Sequence, residues 1–249
     1  MITDCYDPGT EPIVQFSSFY GEQKHILKKC LILFSGKLQE FLLEHYSCRQ
    51  IARIIGAAGE IPVYALEKDG QQIAFYLSLP GSAAASGMCC EVNWLTGADT
   101  FVMFGSCGSL APEQTAGHFI IPTESWRGEG AAYYYAPPAD FIRIKTCPLT
   151  AAWFEKRGIP YVTGRVWTTD SMLRETAGMV AKRRAEGCIA VEMELAGVQA
   201  VCDFYGMTLY NFLEAGDVLA ESGYDVSGFD AANHDTAKLL IALELAAGL

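Results

Sequence analysis

DTFVMFGSCGSL, residues 99–110, is an apolar run that stops at a glycine-flanked turn. A run of this length and composition predicts a buried β-strand. Further strands are predicted at 118–122, 132–137, 160–169 and 207–217, and segments with helical spacing separate them. Strands that alternate with helices predict an α/β fold, here one central mixed β-sheet flanked by helices.

The remaining segments complete this prediction. Residues 62–79 form two strand patterns around Asp69-Gly70, which predicts a hairpin. Helices are predicted at 38–46, 80–97, 149–158, 176–186, 192–206 and 231–247. The sequence has no linker, repeat or low-complexity segment, so we expect residues 1–249 to form a single domain, with residues 1–28 as an N-terminal arm.

Composition excludes several classes of protein. Apolar residues make up 51% and charged residues 19% of the chain, so a large core is expected. The net charge of −11 argues against nucleic-acid or anionic-membrane partners, which require basic patches. No apolar run reaches the roughly 18 residues of a membrane span, and the first residues lack the features of a signal peptide.

The nine cysteines do not predict a disulfide framework, because their number is odd and no C-x-x-C motif occurs. The four histidines are scattered, so we expect no structural metal site. Together these features predict a cytoplasmic protein with reduced thiols.

Three predicted strand ends carry polar groups, and ligands of open α/β sheets bind at such ends. The first is the turn containing Gly105, Ser106 and Gly108, where the glycines let the backbone approach a ligand and Ser106 offers a hydroxyl. A tight turn without a ligand is the alternative. The turn is not a dinucleotide-binding loop, because G-x-G-x-x-G is absent.

The second end is AVEMELAG, residues 190–197, which places Glu192 and Glu194 between apolar stretches. If a helix begins near Glu192, both carboxylates lie in its first turn, where the helix dipole favours negative charge. Residues two apart do not share a helical face, so at most one carboxylate is expected to face a ligand. Acidic capping of the helix is the alternative.

The third end is LEAGD, where Asp217 follows an apolar strand and a glycine. A carboxyl group at this place can donate or accept a proton. An ordinary aspartate N-cap is the alternative. Asp170 in WTTDS, residues 167–171, is a similar but weaker candidate.

These motifs, in this order, resemble the nucleoside phosphorylase and nucleosidase superfamily, especially its uridine phosphorylase-like branch. The resemblance runs from about residue 30 to the C-terminus. The segments that carry it are FVMFGSCGSL, ESWRGEGAAYYYAP (124–137), VWTTDSM, VEMELAG and EAGD. The glutamate-methionine-glutamate motif is the most specific of them.

The resemblance implies a role for each matching residue. Ribose binding falls to Met193 and Glu194, with Glu192 as support at the start of the helix. Asp217 matches the acid that protonates a leaving purine base, although Gly216 stands where the family usually has serine. The implied base pocket comprises Thr169, Asp170, Met172 and Gly108. The implied acceptor site for phosphate comprises Gly36, Gly105 and Ser106.

The acceptor site departs from the family pattern. The family's phosphate site uses three arginines, but Glu40, Met103 and Gly59 occupy the corresponding positions in this sequence. The nucleosidase branch carries a catalytic glutamate in the loop that contains Gly36, so Glu40 is a candidate for activating water. An exposed glutamate on the helix at 38–46 is the alternative.

The sequence therefore predicts an enzyme that cleaves the N-glycosidic bond of a nucleoside, with a purine-type base favoured. The acceptor is phosphate, giving ribose 1-phosphate, or water, giving ribose. A nucleoside-binding protein without catalysis is the alternative from another class. No cofactor is expected apart from inorganic phosphate as co-substrate, and the resemblance implies a homo-oligomer such as a dimer, trimer or hexamer.

Overall fold

The fold is taken from a computed structural model, which describes residues 1–56, 59–220 and 223–249. Within these residues one sheet contains eleven strands. The strands are β1 (Lys29–Leu33), β2 (Arg49–Gly56), β3 (Gly59–Lys68), β4 (Gln71–Leu77), β5 (Thr100–Ser109), β6 (Phe119–Gly128), β7 (Phe141–Arg143), β8 (Tyr161–Thr169), β9 (Cys188–Glu192), β10 (Thr208–Ala220) and β11 (Gly223–Asp225).

Helices lie between the strands and after them. They are α1 (Ser17–Tyr20), α2 (Gly36–His45), α3 (Ser82–Thr96), α4 (Pro112–Thr115), α5 (Ala132–Tyr135), α6 (Cys147–Lys156), α7 (Ala177–Ala185), α8 (Leu195–Phe204), α9 (Phe229–Asn233) and α10 (Thr236–Gly248). Short 3-10 helices span Ile2–Asp4 and Met172–Arg174. The predicted class, a mixed sheet flanked by helices, is confirmed.

The sheet closes on itself in its central part. The strand order is β11-β10-β6-β8-β9-β5-β1-β4-β3-β2, and β10 also pairs with β5. Strands β5, β10, β6, β8 and β9 therefore form a closed ring, which brings the ends of β5, β9 and β10 together. The pairing between β5 and β10 is parallel and that between β5 and β9 is antiparallel, so the ring is mixed.

The predicted hairpin is present as β3 and β4. Asp69 and Gly70 connect these strands with φ angles of +53° and +76°. Positive φ at both central residues is the conformation that a two-residue hairpin turn with right-handed twist requires, and Asp-Gly is among the pairs that adopt it most readily. The strong local preference of this pair explains why the sequence alone predicted the turn.

Two sequence predictions of secondary structure were wrong. Residues 132–137 were predicted as a strand, but Ala132–Tyr135 are helical. The Glu129 carboxylate accepts a hydrogen bond from the Ala132 backbone N–H at 3.0 Å. This side-chain cap stabilises a helical turn, although aromatic residues such as the three tyrosines favour strands.

The second error concerns the helix predicted to begin near Glu192. Strand β9 runs through Glu192, and α8 begins at Leu195 with Glu194 as its N-cap. All five residues of β9 are buried, and burial favours continued hydrogen bonding to the neighbouring strands up to Glu192. The two carboxylates therefore lie on different elements.

Most residues of the N-terminal arm are exposed, and the arm contacts α3. It is anchored by the Tyr20 hydroxyl, which donates to Glu91 at 2.8 Å, and by the Gly21 carbonyl, which accepts from the Trp94 indole at 3.0 Å. Across the described part of the chain, no helix is long and apolar enough to cross a membrane.

Candidate active site

A cavity of about 220 Å³ opens where the ends of β5, β9 and β10 meet. The junction of β1 with α2, the loop before α3, the 3-10 turn after β8 and the junction of α9 with α10 also contribute to its wall. Eight of the twelve residues singled out from the sequence line it: Gly105, Ser106, Gly108, Met172, Glu192, Met193, Glu194 and Asp217. The tertiary structure thus brings together residues that are more than 100 positions apart.

Glu192 is buried and its carboxylate is held by three donors. One oxygen accepts from the Thr168 hydroxyl, and the other accepts from the backbone N–H groups of Glu194 at 2.8 Å and Leu195 at 2.7 Å. These contacts join the end of β9 to the start of α8. Burial raises the pKa of Glu192 to about 8 and the charge of Glu194 acts in the same direction, while the hydrogen bonds oppose them.

Glu194 is half-buried and its carboxylate retains capacity for a ligand. One oxygen accepts from the Gly81 backbone N–H at 2.7 Å, and the Ser82 hydroxyl donates to the Glu194 carbonyl at 3.2 Å. A carboxylate accepts about four hydrogen bonds, so a sugar with two hydroxyls can still bind. Burial raises the pKa of Glu194, and the Gly81 N–H opposes this effect.

Asp217 occupies a β-bulge on β10. The register against β5 shifts between Ala215 and Asp217, so Gly216 is the extra residue. A Cβ at Gly216 would lie 2.9 Å from the Ala232 Cβ, so a larger residue here would require α9 to shift. A Cβ at Gly108 would lie 3.2 Å from the Asp217 carboxylate, so this glycine makes room for the carboxyl group.

The Asp217 side chain is buried, with 8% of the residue exposed. Burial raises the pKa of its carboxyl group, and a hydrogen bond with Tyr224 opposes the shift. A raised pKa extends the pH range in which this group carries a proton. Asp217 is therefore suited to donate a proton to a leaving group.

Glu175 is a second carboxyl group near Asp217 that the sequence reasoning missed. It follows the Met172–Arg174 turn and lines the same cavity. Burial raises its pKa to about 7, and the charge of Asp217 acts in the same direction. We call the part of the cavity lined by Met172, Glu175 and Asp217 the base end.

The pKa of Glu175 predicts a pH dependence of stability. The folded protein retains this proton between the ordinary value of 4.5 and about 7, whereas the unfolded chain has lost it. The stabilisation from Glu175 is complete below pH 4.5 and is lost as pH rises through 7. We expect Glu175→Gln to reduce the fall in Tm between pH 5 and 8, measured by thermal unfolding.

Glu155 provides the matched control, because it is exposed on α6 and lies outside the cavity. The Tm of Glu155→Gln is expected to follow the wild-type pH dependence. Parallel curves for Glu175→Gln and the wild type would contradict the assignment.

A second group of lining residues comprises Ser35, Ser106, Asn211, Asn233 and Lys238, and we call the part of the cavity that they line the acceptor end. The Ser106 hydroxyl donates to the Asn233 side-chain carbonyl at 2.5 Å. The Asn211 amide nitrogen donates to the Met103 carbonyl at 2.9 Å. The acceptor end therefore consists mostly of neutral hydrogen-bonding groups.

Lys238 is the one ammonium group among the described residues that line the cavity. Its Nζ lies 3.1 Å from a Glu214 carboxylate oxygen and donates to the Ala232 carbonyl. Only 1% of Lys238 is exposed, and burial lowers its pKa. Because Glu214 neutralises it, Lys238 does not supply an uncompensated positive charge.

Four predicted site residues do not line the cavity. Thr169 is buried and accepts from the Ser171 N–H at 3.2 Å, and Asp170 is exposed and accepts from the Gly130 N–H at 3.1 Å. Gly36 and Glu40 are exposed on α2. Glu40 faces solvent because the buried face of α2 carries Leu38 and Leu42, and the structure does not bring its carboxylate to the acceptor end.

Three other basic residues, Lys37, Arg53 and Arg127, could replace the charge of the arginines of the family pattern, but each has another partner. Arg127 is buried, donates to the carbonyl of Pro137 at 2.6 Å and stacks on the Tyr133 ring. The exposed side chains of Arg53 and Glu60 pair at 3.2 Å, and exposed Lys37 lies 3.9 Å from Asp230. None of the three basic side chains lines the cavity.

The sequence reasoning missed the residues that approach the cavity from distant parts of the chain. They are Ser35, Glu175, Asn211, Asn233 and Lys238. Lys238 carried a signal, since a lysine within the apolar helix 236–248 requires a partner. Across the described residues, no group of three or more histidine, cysteine or acidic side chains is arranged to hold a metal ion.

Comparisons with known proteins point to one family. A family model described as Phosphorylase superfamily matches residues 29–243. A purine nucleoside phosphorylase DeoD-type of Exiguobacterium sp. (strain ATCC BAA-1283 / AT1b) is 26% identical over 129 residues, which cover 49% of this chain and 53% of the relative. The protein of that name from Limosilactobacillus reuteri (strain DSM 20016) is 26% identical over 168 residues, 64% of this chain and 68% of the relative. The chain thus matches about half the length of the first relative.

Proposed function

The chain belongs to the phosphorylase superfamily, and on that premise we propose that it cleaves the N-glycosidic bond of a nucleoside with a purine-type base. One observation carries the proposal: Glu194 and Asp217 face the same cavity from two different elements. Two similar proteins are named purine nucleoside phosphorylase, which supports the purine preference.

The chemistry of the two carboxyl groups fits this reaction. Cleavage of a glycosidic bond builds positive charge on the sugar, and a carboxylate that accepts hydrogen bonds from the sugar hydroxyls stabilises it. Glu194 is proposed for this role, with Met193 beside it. The leaving base builds negative charge, which proton donation from Asp217 relieves. Met172 and Glu175 are proposed to flank the base.

The assembly and location of the protein are proposed from its surface and its thiols. Exposed apolar side chains of Val14, Phe19, Ile55 and Tyr205 surround one groove, which favours association of several copies. All nine cysteines are free thiols. A homo-oligomer in the reducing cytoplasm is consistent with both features.

A panel of purine and pyrimidine nucleosides tests the proposed activity. Each nucleoside is incubated with the protein, with and without phosphate, and free base is measured. We expect release of free base from purine nucleosides. Tight nucleoside binding without release of base over a long incubation would instead support a binding protein.

The two glutamates of the VEMELAG motif are expected to respond differently to substitution. Glu194→Gln removes a charge-assisted hydrogen bond worth about 1.5–3 kcal/mol, so kcat/KM should fall roughly 10- to 100-fold with little change in Tm. Glu192→Gln leaves one of three buried donors without an acceptor, so Tm should fall. Its kcat/KM should fall less than that of Glu194→Gln. Equal losses of activity would mean that the sugar-binding carboxylate is assigned wrongly.

A further inference from the structure

Ser35 and His234 form a hydrogen-bonded pair at the acceptor end that neither the family match nor the sequence analysis assigns. The Ser35 Oγ lies 2.7 Å from the His234 Nδ1, although 199 positions separate the two residues. Ser35 is buried and lines the cavity, immediately before α2. His234 lies between α9 and α10, next to Asn233, which also lines the cavity.

The surrounding hydrogen bonds determine the direction of this contact. The Ser35 Oγ already accepts from the Leu38 backbone N–H at 3.3 Å, as the N-cap of α2. Its own hydrogen is therefore free to point at the Nδ1 of His234. The Nε2 of His234 lies 3.5 Å from the Asp230 carboxylate, which favours the hydrogen on Nε2. The Nδ1 is then the basic nitrogen and faces Ser35.

The charges of the cavity favour a neutral acceptor. The described residues that line it include four carboxyl groups, from Glu175, Glu192, Glu194 and Asp217. The single ammonium group, Lys238, is already paired with Glu214. A phosphate dianion would find no uncompensated positive charge among the described residues that line the cavity, whereas water needs none.

Asn211 supplies an independent reason for water. Only 1% of this residue is exposed, and its side-chain carbonyl has no hydrogen-bond partner among the described residues. The bond from its amide nitrogen to the Met103 carbonyl fixes the orientation of the side chain. A buried carbonyl oxygen requires a donor, and water has two hydrogens to donate.

We propose that Ser35 and His234 accept a proton from a water molecule at the acceptor end, so that the nucleoside is hydrolysed. The inference rests on the proposed glycosidic cleavage. The water oxygen bonds to the anomeric carbon as the bond from that carbon to the base nitrogen breaks. The water proton passes to the Ser35 oxygen while the Ser35 proton passes to the His234 Nδ1. The base nitrogen keeps the bonding electron pair and takes a proton from Asp217.

This assignment replaces Glu40 as the group that activates water. Glu40 is exposed and lies outside the cavity, whereas Ser35 is at the start of the same helix and lines it. The imidazolium formed in the step faces the Asp230 carboxylate, which stabilises its charge. Ser35 and His234 are therefore catalytic residues of the proposed hydrolysis.

The acceptor is tested by incubating the wild-type protein with purine nucleosides in phosphate-free buffer and in phosphate. The sugar product is identified by mass spectrometry. We expect free ribose at the same rate in both buffers. Release that requires phosphate and yields ribose 1-phosphate would overturn the inference and leave the proposed cleavage intact. No release of base in either buffer would refute the cleavage itself.

The residues are tested by substitution. We expect His234→Gln to lower kcat about 10²- to 10⁴-fold with little change in the KM for the nucleoside, as for loss of a general base. His118→Gln is the matched control, because His118 is exposed, bonds only to the Ala116 carbonyl in the described chain and lies outside the cavity. Unchanged kcat in His234→Gln would overturn the assignment.

Two further variants separate catalysis from folding. Added imidazole should restore part of the kcat of His234→Gly, and a merely structural role would show no such rescue. Ser35→Thr keeps the hydroxyl and should retain most activity, while Ser35→Ala should lose it. Absence of imidazole rescue in a folded His234→Gly protein, shown by a cooperative thermal transition, would overturn the role of His234 as the base.

Discussion

Replacing Asp217 with asparagine is expected to lower kcat/KM for purine nucleosides by about 10²- to 10⁴-fold, the usual contribution of a general acid. The amide has nearly the shape of the carboxyl group, so the cavity beside Gly108 keeps its size. The loss arises because the leaving nitrogen no longer receives a proton. Initial rates of base release across a series of nucleosides measure it.

The pH dependence of kcat/KM provides a second test of proton donation by Asp217. In the proposed mechanism Asp217 acts in its protonated form, and burial raises the pKa of this carboxyl group. Wild-type kcat/KM should therefore fall as pH rises through that raised pKa, and the Asp217→Asn variant should lack this fall. A nitrophenyl riboside, whose leaving group needs no proton, should be cleaved almost as well by the variant.

Asp140→Asn serves as the matched control for this experiment. Asp140 is exposed and does not line the cavity. Its substitution is therefore the same chemical change, from carboxylate to amide, at a position outside the base end. A comparable loss in Asp140→Asn, or an equal loss for the nitrophenyl riboside in Asp217→Asn, would remove the support for proton donation by Asp217.

The second large effect is expected at the buried ion pair of the acceptor end. Lys238→Met should lower the free energy of unfolding by about 3 kcal/mol, the lower end of the range for breaking a buried pair. The lower end applies because the Glu214 side chain is 30% exposed, so water partly solvates the carboxylate that is left unpaired. Urea denaturation at pH 7 measures the change.

A double substitution and a surface pair control this measurement. Lys238→Met combined with Glu214→Gln should recover part of the loss, because no buried charge remains unpaired. Lys145→Met breaks the exposed pair with Asp203, in which the lysine side chain is 66% exposed, and should cost less than about 1 kcal/mol. Equal losses at Lys238 and Lys145 would show that burial does not matter to the pair.

Much of the fold followed from local sequence patterns. The strand at 99–110 and the turn at Asp69-Gly70 depend on the apolar content and on the backbone preference of neighbouring residues, which a sequence displays directly. The wrong prediction of a strand at 132–137 also came from local sequence patterns. There the carboxylate of Glu129 caps the first helical turn, and an aromatic count does not reveal this contact.

The candidate site followed from the sequence only in part. Glu194 and Asp217 stood out because a carboxylate between apolar stretches needs a partner. The resemblance implied different roles for Glu192 and Glu194, but only the structure shows that Glu192 ends β9 and Glu194 caps α8. The exposure of Glu40 depended on which face of α2 packs against the core.

By itself the sequence determined the α/β class, the family resemblance and the carboxyl groups proposed for the sugar and the base, because these rest on periodicity and on short motifs. The tertiary structure alone decided the acceptor end. The pairs Ser35 with His234, Ser106 with Asn233 and Lys238 with Glu214 join separate elements. Hydrogen bonds and ion pairs act over a few ångströms in space, and only the closure of β5 against β10 and the packing of α9 and α10 bring these side chains within that range.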